Sequence, residues 1–242
     1  MWKNLFGFTL LLFVFLTGKG EENIKLHLTD GKILTVKKIR VEKNGEISFL
    51  HPRIHRFMRI PAHLLDKMEY PKTKELKNAD LLFREKKYLQ SAKAYIQCSE
   101  NLKGIAPWDT YSIFYAAKAY FLAGKEDEAI RKLEKLPGKD SPLTDISALE
   151  LYEGIFLLAE LYCRKKEFEK AYPLLDKLIN SPRQDFLKKA LLKKGEILFT
   201  EEKWLASCNT FSLYTILFPN SPEIKQAEEG RKKAQQELEK AR

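Results

Sequence analysis

The chain has 242 residues, of which 44% are hydrophobic and 31% charged, and its formal net charge is +10. This ordinary globular composition excludes a disordered chain, a collagen and a disulfide-dense miniprotein. Its three cysteines, an odd number, cannot by themselves form a disulfide framework.

Residues 1–20 are predicted to be a secretory signal peptide. Lys3 precedes an apolar run of 12 residues from Leu5 to Leu16. That length is typical of the apolar core of a signal, whereas a membrane-spanning helix needs ~20 residues. Gly18-Lys19-Gly20 offers a cleavage site before Glu21, and an uncleaved anchor is the alternative. The remainder is expected to be exported, to the periplasm or another part of the cell envelope.

Residues 23–70 are predicted to form a small basic β module. Asp30-Gly31 and Asn44-Gly45 are turn signals between β-rich segments. The predicted strands are residues 24–28, 33–41, 47–50, 56–60 and 67–70. Five short strands in about 50 residues are typical of an SH3-like or Sm-like barrel.

The positive charge is concentrated in this module. Residues 23–77 carry 13 Lys and Arg against 6 Asp and Glu, a net charge of +7. The densest basic and aromatic run extends from His51 to Arg59, and its candidate anion-binding residues are Arg53, Arg56 and Arg59. They would contact phosphate, lipid headgroups or an acidic polymer. A solvated hairpin loop is the alternative.

The segment from residue 74 to 220 contains a four-fold internal repeat. In each copy a small residue is followed three positions later by a large apolar one and twelve positions later by a second small residue. The small pairs are Ala79 with Ser91, Ala117 with Ala129, Ala159 with Ala171, and Gly195 with Ser207. Small residues at this spacing indicate two antiparallel helices that cross closely.

This pattern resembles the tetratricopeptide repeat (TPR). The resemblance implies a mainly α fold, a TPR-like helical-repeat solenoid of four helix pairs preceded by the β module. The stretch Phe218-Pro219-Asn220-Ser221-Pro222 is similar to repeats of bacterial envelope proteins of the Tol-Pal-associated coordinator and outer-membrane assembly lipoprotein types. The lipid-anchor cysteine of the lipoproteins is missing. A capping helix is predicted over residues 221–242, with Ser221 as N-cap and Pro222 as first helical residue.

Export leads to an oxidising compartment, in which cysteines can form disulfides. Cys98, Cys163 and Cys208 are predicted to lie on separate helices. Buried free thiols are expected, and a Cys98–Cys163 or a Cys163–Cys208 disulfide is the alternative.

Residues that could perform catalysis are not grouped in any known motif. The sequence contains no HExxH, Walker loop, GxSxG or paired CxxC. His51 and His55 are four residues apart, but Pro52 disfavours a helix there and no third metal ligand is apparent. The sequence therefore predicts a protein that is not an enzyme, without cofactor, metal or small-molecule substrate; nucleic acid is not expected as a partner.

The resemblance also implies a concave face formed by the first helix of each pair, at offsets −6, −3, +1 and +4 from its small residue. The predicted partner-binding residues at these offsets are Phe83, Tyr111, Phe114, Lys118, Phe121, Phe156, Glu160 and Phe199. The alternative is that Phe114, Phe156 and Phe199 only pack between helix pairs. The Lys/Asn/Arg set of peptide-carboxylate clamps is absent, so a chaperone-tail receptor is not expected.

Two functions follow from these features. The main hypothesis is a non-enzymatic exported scaffold that binds a protein or peptide partner in the cell envelope. The alternative is a binder of an anionic polymer or a membrane surface through the basic β module.

Overall fold

The computed structural model describes residues 24–36, 39–41, 47–51, 56–69, 71–102, 108–136, 139 and 149–241. The chain divides into two compact units, Met1–Thr73 and Lys74–Arg242. The predicted signal peptide and Arg53 lie outside the described residues.

The first unit contains two antiparallel three-stranded sheets, in the orders β2-β1-β6 and β3-β4-β5. The strands are β1 Ile24–Leu28, β2 Ile33–Val36, β3 Ile39–Val41, β4 Ile47–Leu50, β5 Phe57–Ile60 and β6 Leu65–Glu69. In β1, buried Ile24 and Leu26 alternate with exposed Lys25, as one buried sheet face requires. Both sheets contribute to a single core made of Ile24, Leu26, Val36, Phe49 and Ile60.

The predicted small sheet module is confirmed, but the predicted strand 33–41 is divided. Its first part, β2, pairs with β1, whereas its second part, β3, pairs with β4 of the other sheet. Ile33, Val36, Ile39 and Val41 continue the β-branched composition over both strands, so the pattern alone does not reveal the change of sheet. The described residues therefore contain six strands rather than five.

The second unit is helical and confirms the predicted TPR-like arrangement of four helix pairs and a last helix. The helices are α1 Lys74–Arg84, α2 Tyr88–Asn101, α3 Trp108–Leu122, α4 Glu126–Leu133, α5 Leu149–Arg164, α6 Phe168–Ile179, α7 Gln184–Thr200, α8 Trp204–Leu217 and α9 Ile224–Lys240. Each helix packs against its neighbour within a pair, and the first helices α3, α5 and α7 pack in turn on one another. None of the described helices has the length and apolar character needed to cross a membrane.

The small residues lie at the helix crossings, as the repeat pattern predicts. Ala79, Ala117 and Ala159 are completely buried. A Cβ atom on Gly195 would lie 2.7 Å from the ring of Phe211, so the crossing of the fourth pair excludes even a methyl group unless the ring moves. In the first and fourth pairs the second small residue is serine. Its Oγ donates a hydrogen bond across the crossing, from Ser91 to the Ala79 carbonyl at 3.0 Å and from Ser207 to the Gly195 carbonyl at 2.9 Å.

All four helix pairs turn through a residue in the left-handed conformation. These residues are Lys86, Gly124, Lys166 and Glu202, with φ of 59°, 72°, 60° and 60°. In the first turn, the N–H of Lys87 donates to the Leu82 carbonyl at 2.9 Å and the N–H of Lys86 to the Phe83 carbonyl at 3.0 Å. The same pair of hydrogen bonds closes the other three turns, and it defines a Schellman motif. Because only one of the four residues is glycine, the turn is retained against an unfavourable backbone preference.

The last helix begins at Ile224, and Glu223 rather than Ser221 occupies its N-cap position. The hydroxyl of Ser221 is buried and lies 2.8 Å from the hydroxyl of Tyr214 on α8, and no side chain caps α9. The predicted N-cap is therefore wrong, because the serine hydroxyl is engaged by a tyrosine that is close only in the folded chain. The capping role of α9 agrees with its burial pattern, since it buries Ala227 and Ala234.

The three cysteines are free thiols in the structure. Cys98 is buried, whereas Cys163 and Cys208 are partly buried. Burial raises the pKa of the Cys98 thiol to about 11, with Glu75 and Asp80 adding to the effect. Such a thiol is protonated at neutral pH and is a poor nucleophile.

Candidate protein-binding face

We call the surface formed by α1, α3, α5 and α7, at the four offsets from each small residue, the first-helix face. The structure places the predicted residues at two depths on it. Phe114 is 1% exposed and Tyr111 9% exposed, so both support the surface from beneath. Phe83, Phe121, Phe156 and Phe199 are half-buried aromatic residues, while Lys118 and Glu160 are the half-exposed charged ones.

The aromatic residues at the α1 end form one cluster, with Tyr115 at its centre. The Tyr115 ring centroid lies 4.4 Å from that of Tyr111, 5.0 Å from Phe114 and 5.5 Å from Phe83. Tyr115 therefore connects three residues that the sequence predicts separately. The prediction missed it because Tyr115 stands two positions before the small residue Ala117, outside the four offsets considered.

A carboxylate joins the first two repeats beneath this cluster. The hydroxyls of Tyr95 and Tyr111 both donate to Oδ1 of Asp80, at 2.6 Å and 2.9 Å. Burial raises the pKa of both tyrosines well above the usual value, and the hydrogen bond to Asp80 adds to the shift. Both hydroxyls therefore stay protonated and keep donating, which ties α1 to α2 and α3.

Cations lie over the aromatic rings along the face. Nζ of Lys118 is 5.3 Å from the centroid of the Phe114 ring. The guanidinium carbon of Arg164 is 4.9 Å from the centroid of Phe121. Further along, Nζ of Lys189 is 5.9 Å from the centroid of Phe156. These distances are within the ~6 Å at which a cation and an aromatic ring attract each other.

Ion pairs and a hydrogen bond also lie along this part of the helical unit, within α7 and between neighbouring helices. Nζ of Lys118 is 3.8 Å from Oε2 of Glu153 on α5. On α7, Lys193 pairs with Glu196 at 2.7 Å. Gln226 on α9 donates to the other oxygen of Glu196 at 3.0 Å. The last helix therefore extends the face beyond the fourth pair.

The half-buried thiol of Cys163 on this face is not activated. Burial raises its pKa to about 11; Lys193 opposes that shift, and Glu160 and Glu196 add to it. A protonated thiol among carboxylates lacks the electropositive surroundings of a reactive cysteine. Among the described residues there is also no group of three or more His, Cys, Asp or Glu side chains that could hold a metal ion.

The candidate anion-binding residues of the β module lie at and beside the edge strand β5. Arg56 and Arg59 are both exposed. Between them, Phe57 is 59% exposed and Met58 42% exposed. The sequence predicted the basic residues of this strip, while the exposure of its two apolar side chains is known only from the structure.

Comparisons with known proteins agree with the helical fold. The sequence model of the tetratricopeptide repeat family matches residues 111–140, which include most of α3 and all of α4. A solved kinesin light chain variant from Podosopora anserina with nearly identical TPR-like repeats covers 69% of this chain and 90% of its own, at 14% identity and a TM-score of 0.50. The MamA protein covers 69% of this chain and 87% of its own, at 18% identity and a TM-score of 0.49. No curated protein gives a significant match to the sequence. The helical unit of the chain thus has the fold of a TPR-like helical-repeat solenoid.

Proposed function

We propose that this protein is a non-enzymatic scaffold that binds a protein partner on the first-helix face. The observation that carries the proposal is the series of cation–ring pairs on successive repeats, Lys118 on Phe114, Arg164 on Phe121 and Lys189 on Phe156. Aromatic residues next to a few charges are the composition of binding hot spots. The TPR-like fold supports a role in protein–protein interaction.

The arrangement favours a partner segment that carries both acidic and apolar side chains. Long lysine and arginine side chains can swing away from a ring toward a carboxylate, since a half-exposed cation–ring pair contributes only about 1 kcal/mol. The uncovered edges of Phe121 and Phe156 would then accept apolar side chains of the partner. An amphipathic helix or an extended strand offers both kinds of group at regular spacing.

We place this role in the cell envelope. The support comes from the apolar run Leu5 to Leu16 before Gly18-Lys19-Gly20, and from the resemblance of residues 218–222 to envelope repeat proteins. The interaction partner is accordingly sought among exported proteins.

Lys118→Glu is expected to weaken partner binding by about 1–2 kcal/mol without unfolding the protein. Lys118 is half-exposed and its ion pair with Glu153 is a surface pair, so its loss costs ~0–1 kcal/mol of stability. The matched control is Lys93→Glu, which changes the charge equally at an exposed position of the second helix α2. Partners captured from envelope extract are identified, and their affinities for the three proteins are then measured by calorimetry.

Equal affinity of the Lys118→Glu and wild-type proteins would contradict the first-helix face as the binding site. If Lys118→Glu and Lys93→Glu reduced the affinity for the partner equally, the partner would be attracted by net charge alone. Phe121→Ala is a less clean test, because the ring also packs against the core. Its effect on binding is compared with its effect on the melting temperature.

A second candidate function is contact with an anionic membrane surface through Arg56, Phe57, Met58 and Arg59. The specific observation is that all four neighbouring side chains are exposed, although two of them are large and apolar. Basic residues attract anionic lipid, and apolar side chains insert at the headgroup boundary. An acidic polymer would need the arginines but would gain little from Phe57 and Met58.

Arg56→Glu combined with Arg59→Glu is expected to reduce binding to vesicles containing phosphatidylglycerol at least ten-fold in co-sedimentation. Two positive charges near an anionic surface contribute ~1 kcal/mol each, and two acidic residues in their place are repelled. Phe57→Ser distinguishes a membrane surface from a soluble polyanion as the ligand. It should weaken vesicle binding and leave binding to a soluble polyanion unchanged. Vesicle binding unaffected by the arginine changes would refute this candidate.

A further inference from the structure

Strand β5 lies at the end of its sheet, and some of its backbone groups face away from that sheet. Its strand partner among the described residues is β4, in the order β3-β4-β5. The N–H of His51 donates to the carbonyl of Arg56 at 3.0 Å and so extends the antiparallel ladder between β4 and β5. Hydrogen-bonded and non-hydrogen-bonded pairs alternate along such a ladder. The N–H and C=O of Met58 therefore face β4, whereas those of Phe57 and Arg59 face the open edge.

The side chains beside this edge alternate between the two faces of the sheet, because successive residues of a strand point to opposite faces. Phe57 and Arg59 therefore share one face, and Arg56 and Met58 share the other. All four side chains are exposed. Each face consequently presents one apolar and one basic side chain next to the outward backbone groups.

The charge at this edge disfavours a second copy of the chain and favours an acidic partner. Edge strands pair readily with further strands, and basic residues on an edge protect it against pairing with another copy. Two β5 strands side by side would bring Arg56 and Arg59 of both copies together, and residues 23–77 carry a net charge of +7. An extended segment with carboxylates opposite these arginines would gain attraction instead of repulsion.

We propose that β5 binds an extended acidic segment of a protein partner, which adds to the sheet as its next strand. The backbone of the segment would pair with the outward N–H and C=O groups of Phe57 and Arg59, and its side chains would alternate between the two faces. The order from Arg56 to Arg59 is basic, apolar, apolar, basic. The complementary order is therefore acidic, apolar, apolar, acidic, for a parallel and for an antiparallel segment.

An added strand would use more of this edge than a membrane surface would. Lipid contacts the side chains alone, whereas a strand also occupies the outward backbone groups. Phe57 and Met58 lie on opposite faces of β5, which matches the alternation of a neighbouring strand. The site lies on the β module and is independent of the first-helix face of the helical unit.

Fluorescence anisotropy of the full chain with a labelled peptide tests the proposal. The probe is the peptide GSTEVVETSG, whose core EVVE has the complementary order and β-branched residues. We expect a dissociation constant on the order of 10–100 µM, because a short peptide loses conformational freedom on binding. Arg56→Glu combined with Arg59→Glu should weaken binding roughly ten-fold, and this double variant should instead bind GSTKVVKTSG, in which lysines replace the glutamates.

Two control variants separate this edge from net charge and from the helical unit. Lys93→Glu combined with Lys232→Glu changes the net charge equally, at exposed positions of α2 and α9. It should leave the affinity for GSTEVVETSG within about two-fold, and so should Lys118→Glu on the first-helix face. Because Arg56 and Arg59 are exposed, their replacement should leave the melting temperature unchanged.

N-methylated peptides test whether the backbone groups are used. A strand directs the N–H groups of alternate residues to one edge, so only one alternate set in the core EVVE would meet β5. Methyl groups on the first and third core residues should weaken binding about ten-fold, whereas methyl groups on the second and fourth should not. Equal affinities of these two isomeric peptides would overturn the strand addition.

Three further results would overturn the proposal. The first is the absence of peptide binding at about 1 mM, beyond the weakest affinity expected for such a site. The second is peptide binding that Lys118→Glu abolishes while the double arginine variant retains it, because the peptide would then lie on the first-helix face. The third is binding to phosphatidylglycerol vesicles without binding to the peptide, which would assign these side chains to a membrane surface.

Discussion

Replacing Tyr95 by alanine is expected to lower the free energy of unfolding by ~3–5 kcal/mol, the range for truncating a large buried aromatic residue. Tyr95 is 1% exposed and packs between the first two helix pairs with Leu76, Ala79 and Tyr111. Its hydroxyl is also one of two donors to Asp80. The loss of the ring leaves a cavity that this rigid helix crossing cannot fill, so the melting temperature should fall by roughly 10 °C.

Two further variants separate the effect of the Tyr95 ring on stability from that of its hydroxyl and from that of an exposed residue. Tyr95→Phe keeps the ring and removes only the hydrogen bond to Asp80, so it should cost about 1–2 kcal/mol. Lys232→Ala on the exposed side of α9 should change stability by less than ~0.5 kcal/mol. Thermal melts followed by circular dichroism measure all three. If Tyr95→Ala and Lys232→Ala had the same small effect, the repeat register would be wrong.

The second large effect is expected at alkaline pH, where the helical unit should unfold cooperatively between about pH 10 and pH 12. Burial raises the pKa values of Tyr95, Tyr111 and Tyr162, and hydrogen bonds to carboxylates raise them further. In Tyr162 that bond runs to Glu134 at 2.7 Å. The unfolded chain releases these protons near pH 10, the ordinary tyrosine value.

The sign of the effect follows from proton binding. Below pH 10 the native and the unfolded state both keep the tyrosine protons, so the free energy of unfolding is not reduced. Above pH 10 the native state still holds protons that the unfolded state has lost, so each such tyrosine reduces the free energy of unfolding by ~1.4 kcal/mol per pH unit. Three tyrosines together give ~4 kcal/mol per pH unit, which is enough to unfold a marginally stable domain within two units.

Simultaneous measurement of helix content and of tyrosinate absorbance tests this expectation. Ionisation of the buried tyrosines should coincide with the loss of helix, and Tyr95→Phe should make the decline with pH less steep by about one proton. The result that counts against it is ionisation of all tyrosines near pH 10 with the helices intact. That outcome would mean that Tyr95 and Tyr111 are accessible to water in the native state.

The sequence by itself determined the repeat architecture. A small residue at a helix crossing is a requirement on side-chain volume, and it recurs at a fixed offset within each helix pair, so Ala79 with Ser91 and Ala159 with Ala171 could be identified without any tertiary information. The first-helix face was predicted only through the resemblance to the tetratricopeptide repeat, which supplies the four offsets from the small residue. Which of its residues bind a partner remains a prediction.

The tertiary structure decided what depends on residues far apart in the chain. Arg164 lies over Phe121, 43 positions earlier, and Tyr111 reaches Asp80 across 31 residues. The predicted strand 33–41 divides between two sheets, since β2 pairs with β1 and β3 pairs with β4. The uncharged composition of α8 is visible in the sequence, but the exposure of Ile216 is not. Exposure depends on whether a distant segment covers a side chain, and periodicity within one helix carries no information about that.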